Sequence, residues 1–499
     1  MNKLGLIIAC AVGALAVPAV AQDRVGVEHV AMTHSGNAKA SAPFLRGVAL
    51  LHSFEYDRAE AAFREAQAAD SDFVMAYWGE AMTHNHSLWD YQDRDGALAV
   101  LAKLGATPAV RMAKARSVRE AQWLDAVETL YGEGSKEERD LAYLAKMQAM
   151  LAQDPSDIEA RAFTGLAILA SSHGGRQIPV FMRAAGVLEE GFMEHPKHPG
   201  LLHYLIHSYD DADHAPLGAR AAARYAVVAP DAGHAQHMVS HIFHALGDWE
   251  SSEKANINAD AVVDRQRVAA GRGPSFCGHY NEWLTYALVQ QGKDANEIVN
   301  GCRAQAEAQI AQGPKDKLGW GAASSYTGIA LSNGVTTGNW PQPMEGIDDG
   351  FLLARYDLAY ARLLQSFGSA SAAAAALADM KSLGSQVEEA LKQEDPLNTW
   401  FMPWYERQLA QGEAVVALSS GHSDAGLALL RTAAEAESAV PAVYGPPPMA
   451  KPSWELLGEQ LLEAGRKDEA AEAFRRALAF APGRRLSLQG LAAATASGT

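Results

Sequence analysis

From residue 42 onward the chain repeats one pattern. Apolar residues recur three and four positions apart, polar residues fill the opposite positions, and short Gly-, Pro- or Asp-containing breaks separate the segments. This is the pattern of amphipathic helices joined in antiparallel pairs. The pairs are Pro43–Ser53 with Tyr56–Ala69, Phe73–His84 with Gly96–Leu104, Val118–Leu130 with Lys136–Leu151, and Asp157–Ala170 with Pro179–Met193. Pro199–Tyr209 with Leu217–Val228, Ala232–Leu246 with Trp249–Val263, and Gly278–Gln291 with Ala295–Gln312 continue the series. After Trp320–Leu331 and a Pro/Gly-rich break at Gly338–Gly350 come Phe351–Phe367 with Ala370–Leu383 and Trp400–Ser419 with Asp424–Ala434. No segment alternates with the two-residue period of a strand, so the expected class is all-α.

Two of these helices carry unusual polar faces. HPKHPGLLHYLIHSYDD (His195–Asp211) and DAGHAQHMVSHIFHALGDW (Asp231–Trp249) each contain an H-x3-H pair, His203/His207 and His237/His241. Residues four apart share one face of a helix. The two pairs are 34 residues apart, a period typical of helical-hairpin repeats. Corresponding helices of adjacent repeats would bring four imidazoles to one patch.

Composition changes this picture at three points. Alanine is abundant, which favours helix, and 48% hydrophobic content over 499 residues suffices for a large core. A net charge of −17 argues against a nucleic-acid partner, which requires a basic surface. Lys3, the apolar run Leu4–Val17 and the A-x-A motif Ala19-Val20-Ala21 read as a signal peptide over 1–21, cleaved near Ala21, followed by a polar extension over 22–41. The apolar run before Cys10 is too short for a lipoprotein signal. No other run of about 18 apolar residues exists, so no membrane span is expected, and the mature chain should be periplasmic or secreted. Cys277 and Cys302 would then be free to pair. If they sat on facing helices they would be about 10 Å out of level, against a Cα limit of about 7 Å. The spacing therefore leaves the bridge open and tilts against it.

The two ends of the chain carry a recognisable set of small and aromatic positions. Gly47, Ala59, Phe63 and Ala66 form it at the start; Trp454, Leu457, Gly458, Leu461, Gly465, Ala470, Phe474, Ala477 and Pro482 form it at the end, with Leu486–Ala494 as a capping helix. On these residues the chain resembles tetratricopeptide repeat proteins. HSFEYDRAEAAFREAQAADSDFVMAYWGEAM (His52–Met82) and CGHYNEWLTYALVQQG (Cys277–Gly292), with the two His-rich phrases, resemble more narrowly the family of tetratricopeptide repeat protein 38 and exported bacterial relatives. The resemblance implies an α-solenoid whose first helices line a concave groove, and it brings no reaction with it. It divides the mature chain into a repeat region with the His-rich groove over 42–312 and a second over 313–499 that ends in the regular repeat.

Groove-facing positions of such repeats are the second, fifth, ninth and twelfth of the first helix. In the sixth repeat these are His234, His237, His241 and His244; in the fifth, the last three are His203, His207 and Asp210; in the seventh, the first two are His279 and Glu282. Apolar Leu202, Leu205 and Ile206 occupy the other face of the fifth, which sets the histidines opposite the packing side. His203, His207, His237 and His241, with Glu282 or Asp210, make a nitrogen-rich set suited to Zn, Cu, Fe or Ni rather than Ca or Mg. The carboxylates can ligate, orient a ring, or accept a proton from bound water, so Glu282 and Asp210 are also the catalytic candidates. A second group comprises His52, Glu80 and His84. The competing readings are a groove for a protein, peptide or small ligand, and histidines that hold helices together. No H-E-x-x-H motif, P-loop, dinucleotide fingerprint, nucleophile elbow or C-x-x-C occurs, so no nucleotide cofactor is expected. The sequence thus predicts an exported solenoid that binds a partner or ligand in its groove beside a His-rich metal site, with a hydrolytic or oxidative metalloenzyme and a plain interaction scaffold as alternatives.

Overall fold

The breaks in the pattern become helix ends with identifiable stops. Asn37 accepts from the backbone N–H groups of Lys39 and Ala40 and so starts the first helix. Ser135 and Glu138 form a reciprocal capping box, and Asp157 and Asp248 cap two more starts. The computed structural model describes residues 23–348, 350–394, 401–440 and 444–496. The expected signal peptide lies outside the described residues.

Among the described residues the helices are α1 (Ala38–His52), α2 (Tyr56–Ala69), α3 (Val74–Met82), α4 (Arg94–Leu104), α5 (Pro108–Met112), α6 (Val118–Leu130), α7 (Lys136–Gln153), α8 (Ile158–Ala170), α9 (Ile178–Glu194), α10 (Pro199–Ser208), α11 (Ala215–Val228) and α12 (Gly233–Ala245). They continue as α13 (Trp249–Ala269), α14 (His279–Gln290), α15 (Asn296–Gln312), α16 (Ala322–Thr337), α17 (Leu352–Leu364), α18 (Ala370–Glu394), α19 (Met402–Ser419), α20 (Ser423–Ser438), α21 (Ser453–Glu463), α22 (Lys467–Phe480) and α23 (Arg485–Thr495). The fold is an all-α helical-repeat solenoid. It departs from expectation in detail. The short α5 was not anticipated, α13 and α18 run longer, and Asn85–His86 pairs with Tyr91–Gln92 as a two-residue antiparallel ladder.

The steric logic of the repeat is visible at both ends. A Cβ on Gly47 or Gly79 would sit 2.7 or 2.3 Å from Phe63, so glycine lets α1 and α3 press on one ring. Gly458 and Gly490 press on Phe474 in the same way, at 2.8 and 2.2 Å. Small residues at these crossings bring helix axes close.

The solenoid curls onto itself twice. The extension before α1 runs as a strap across the first turn. Arg24 pairs with Asp231, the Ala31 N–H donates to Glu159, and the Ser35 N–H donates to Glu120. The end of α1 meets α8 and α10, closing this turn around a core that runs from Val25 to Ala255. At the other end, the indole N–H of Trp249 donates to the Gly483 carbonyl. Arg484 donates to the Tyr286 hydroxyl and pairs with Glu455, which docks the last repeat on α12–α14.

Cys277 and Cys302 form a disulfide, with Cα atoms 4.8 Å apart. The expected offset assumed two facing helices. Cys277 instead lies in the loop before α14, which runs back along α15, so the offset never arises. The bridge anchors this loop two residues before His279.

Candidate metal centre

Three successive first helices, α10, α12 and α14, lie side by side and present histidines inward. The side chains form two groups of three. His203 and His207 on α10 join His234 from the first turn of α12; His237 and His241 on α12 join His279 at the start of α14. Within each group one nitrogen per residue lies within 4.8 Å of the others. Each group is therefore an H-x3-H pair from one repeat completed by a first-turn histidine from the next.

In the second group the hydrogen bonds assign the protons. Asn256 donates through its Nδ2 to the Ser252 carbonyl, which turns its Oδ1 toward His237 Nδ1 at 2.7 Å. The Asp210 carboxylate accepts from His241 Nδ1. Both rings thus carry their proton on Nδ1 and leave Nε2 bare, and the two Nε2 atoms face each other 3.1 Å apart. Two lone pairs at this distance repel unless a cation or an additional proton stands between them. Burial, then the neighbouring His279 and His241, push the His237 pKa well below its ordinary value, which disfavours the proton. Two nitrogens bound to one tetrahedral ion would lie about 3.3 Å apart.

In the first group one ring, His203, is fixed in the same way. His203 donates from Nδ1 to the His52 carbonyl at 2.6 Å, and its Nε2 lies 3.1 Å from His207 Nε2. His207 Nδ1 and His234 Nε2 are buried with no hydrogen-bond partner. Burial and the surrounding histidines hold His203, His207 and His234 well below their usual pKa, so all are neutral and ligand-competent at pH 7. Phe54 adopts a left-handed φ of 52° and lays its ring 4.3 Å from His203. Such a conformation costs about 1–3 kcal/mol and persists where its surroundings demand it. Tyr444, returning from the C-terminal part of the chain, places its ring 5.6 Å from His207 and 5.8 Å from His241.

A third cluster, His52, Glu159 and His198, is wholly buried and saturated. Glu159 accepts from His52 Nε2 (2.8 Å), His198 Nε2 (3.1 Å) and the Ala31 N–H (2.8 Å). The remaining ring nitrogens accept from the Tyr204 hydroxyl and the Leu201 N–H. Burial alone would raise the Glu159 carboxyl; His198 and then His52 outweigh it and hold the group far below the usual carboxylate range.

The sequence-predicted residues divide accordingly. His203, His207, His237 and His241 come together, but as two pairs in separate groups rather than as one four-histidine site. They are also buried (0, 3, 0 and 4% exposed) rather than lining an open groove, because the first turn closes on itself. His234 and His279 complete the groups. Asp210 sits behind His241 as an orienting partner. Glu282 is solvent-accessible and outside both groups, and the helices crowded around it desolvate its carboxyl enough to raise its pKa. His244 joins neither group and stacks on Tyr286. Glu80 and His84 do not pair: Glu80 is held by Arg64, Lys103 and Gln67, and His84 by Asp93. His52 belongs to the saturated cluster.

No family model matches the chain, and no curated protein matches it. Solved helical-repeat structures align over most of its length. Cut9, from the APC/C hetero-tetramer Cut9–Hcn1, is 13% identical over 93% of this chain and 78% of its own, with a TM-score of 0.34. The TPR domain of P58(IPK) is 13% identical over 92% and 97%, at 0.22. Yeast Tom70 is 12% identical over 91% and 94%, at 0.25. Scores this low carry no argument, and the fold assignment rests on the helices themselves.

Sequence reasoning missed Asn256, Glu159 and His198. His198 had a local signal: it directly precedes Pro199 and caps α10. Asn256 and Glu159 lie on ordinary helical segments and acquire their roles only through packing.

Proposed function

We propose that this chain is an exported helical-repeat metalloprotein that binds transition-metal ions through the inward histidines of α10, α12 and α14. One observation carries the reading: His237 and His241 have their Nδ1 protons fixed by Asn256 and Asp210, so two bare Nε2 atoms face each other at 3.1 Å in a buried site. Imidazole-only ligation suits Zn, Cu, Fe or Ni. The Cys277–Cys302 bridge supports an oxidising compartment, in keeping with the leader-like N-terminus. The stacked repeats support an additional role as a scaffold for a protein partner on the outer surface. Catalysis at the metal, with accessible Glu282 as proton acceptor, is the enzymatic form of the same reading; Asp210 is committed to His241.

Elemental analysis of tag-free protein tests it. The wild type should hold at least one equivalent of Zn, Cu, Fe or Ni per chain, and His237→Ala/His241→Ala should hold less. A wild type that stays metal-free after reconstitution with each ion would overturn the proposal.

A further inference from the structure

The two three-histidine groups are one construction made twice. In each, positions five and nine of one repeat supply the pair, and position two of the next supplies the third ligand. The fifth repeat has Gly200 at position two, where the His52 ring packs so closely that a Cβ would meet its Nδ1 at 2.4 Å. The seventh has Tyr286 at position nine. The series therefore begins and ends with these two groups.

The groups are also adjacent. Ring centroids within them lie 4.8 Å (His203–His207), 5.0 Å (His203–His234), 4.9 Å (His237–His241) and 4.5 Å (His237–His279) apart. Between them, His207–His241 is 5.8 Å and His234–His237 is 6.1 Å, only about 1 Å longer. Ions held by the two groups would be close neighbours, each with three nitrogen ligands and an unfilled position. Both completing ligands stand at the more open side: His279 is exposed and His234 half-buried, while the four paired histidines are deep.

The donor set bears on which ion. All six ligands are imidazoles, and the carboxylate bonded to a ligand ring, Asp210, reaches the centre only through His241. Two Zn(II) ions would bring four positive charges into this interior; two Cu(I) ions bring two. Burying charge with little compensation is costly, which favours the singly charged ion; among divalent ions copper stands highest in the affinity order for such sites, so the oxidised ion is also held against zinc. Resting on the metal-binding reading above, we infer that the two histidine groups hold a pair of copper ions as one binuclear centre.

The test is an anaerobic Cu(I) titration in competition with bathocuproine disulfonate. It uses wild type, His203→Ala/His207→Ala and His237→Ala/His241→Ala, with helicity checked by circular dichroism. Two equivalents should bind to wild type and one to each variant. Ferricyanide then removes one electron from each Cu(I). Each variant should give one full Cu(II) spin per chain by electron paramagnetic resonance, and wild type clearly fewer than two because the neighbouring ions couple. A single equivalent in wild type, two independent full spins, or displacement of copper by equimolar zinc each overturns the inference. The wild-type stoichiometry and spin count decide the matter even if a variant fails to fold. Binding of one equivalent would leave the metal-binding reading intact, whereas failure of every ion to bind would remove that reading itself.

Discussion

The cluster of His52, Glu159 and His198 and the group of His237, His241 and His279 both bring buried imidazoles together, and they differ most in how their ring nitrogens are satisfied. In the first, every ring nitrogen has a partner of opposite polarity: two donate to Glu159, one accepts from Tyr204 and one from Leu201. In the second, the outer nitrogens of His237 and His241 are satisfied and the inner ones face each other as acceptors. A buried polar network that closes on itself stabilises a fold. One that leaves acceptors converging on a point calls for a cation there. Both contain buried histidines with paired ring nitrogens; the direction of each hydrogen bond separates them.

The largest effect should come from breaking the saturated cluster. Glu159→Leu leaves two imidazole N–H groups and the Ala31 N–H without an acceptor, and should cost about 3–5 kcal/mol in urea unfolding. Metal content per folded chain should stay the same. Because the folded-state pKa of Glu159 is depressed, its contribution is full above the usual carboxylate value of about 4.5 and is lost as pH falls below it. A variant that keeps its stability but loses metal would reverse the assignment of roles.

A smaller effect should come from the orienting partner in the unsaturated group. Asp210→Asn keeps an acceptor for His241 Nδ1 but removes the charge that makes the ring a better ligand. Such changes typically weaken metal binding about 10- to 100-fold. Competition titration should show the loss at one of the two groups only. Equal weakening of both, or of neither, would mean that Asp210 does not act through His241.

How much of this was legible beforehand follows from the range of the forces involved. The helices and their pairing came from local periodicity, and the close-packed ends from Gly47, Phe63, Gly458 and Phe474, whose spacing is a local property. The six histidines were visible because each occupies a groove position of its own helix. Their division into two groups was not, since it depends on how far each first turn overlaps the preceding helix. Glu80 and His84 looked paired by spacing, but Arg64 and Lys103 on neighbouring helices offer Glu80 a full positive charge that a neutral imidazole does not. Glu159 could not be picked out at all: its partners come from the strap, α1 and the turn before α10, which only the closure of the solenoid brings together.

His244 sharpens the comparison from a third side, as a buried histidine with neither a carboxylate nor a converging ligand. It is 7% exposed, stacks 5.0 Å from Tyr286, and its Nδ1 has no partner. Burial, with a smaller push from His241, lowers its pKa to about 3. Between the usual value near 6.5 and that figure, only the unfolded chain takes up this proton, so stability must fall as pH falls, by about 1.4 kcal/mol per pH unit for one such group. His244→Phe fills the same aromatic box without titrating. Metal-free protein carrying it should lose stability less steeply by about that amount when unfolded in urea at several pH values below 6.5. An unchanged slope would show that His244 keeps its proton in the folded state. The aromatic cage would then be stabilising an imidazolium, and neutrality could no longer be inferred for His203, His207, His234 and His237 from burial among rings alone.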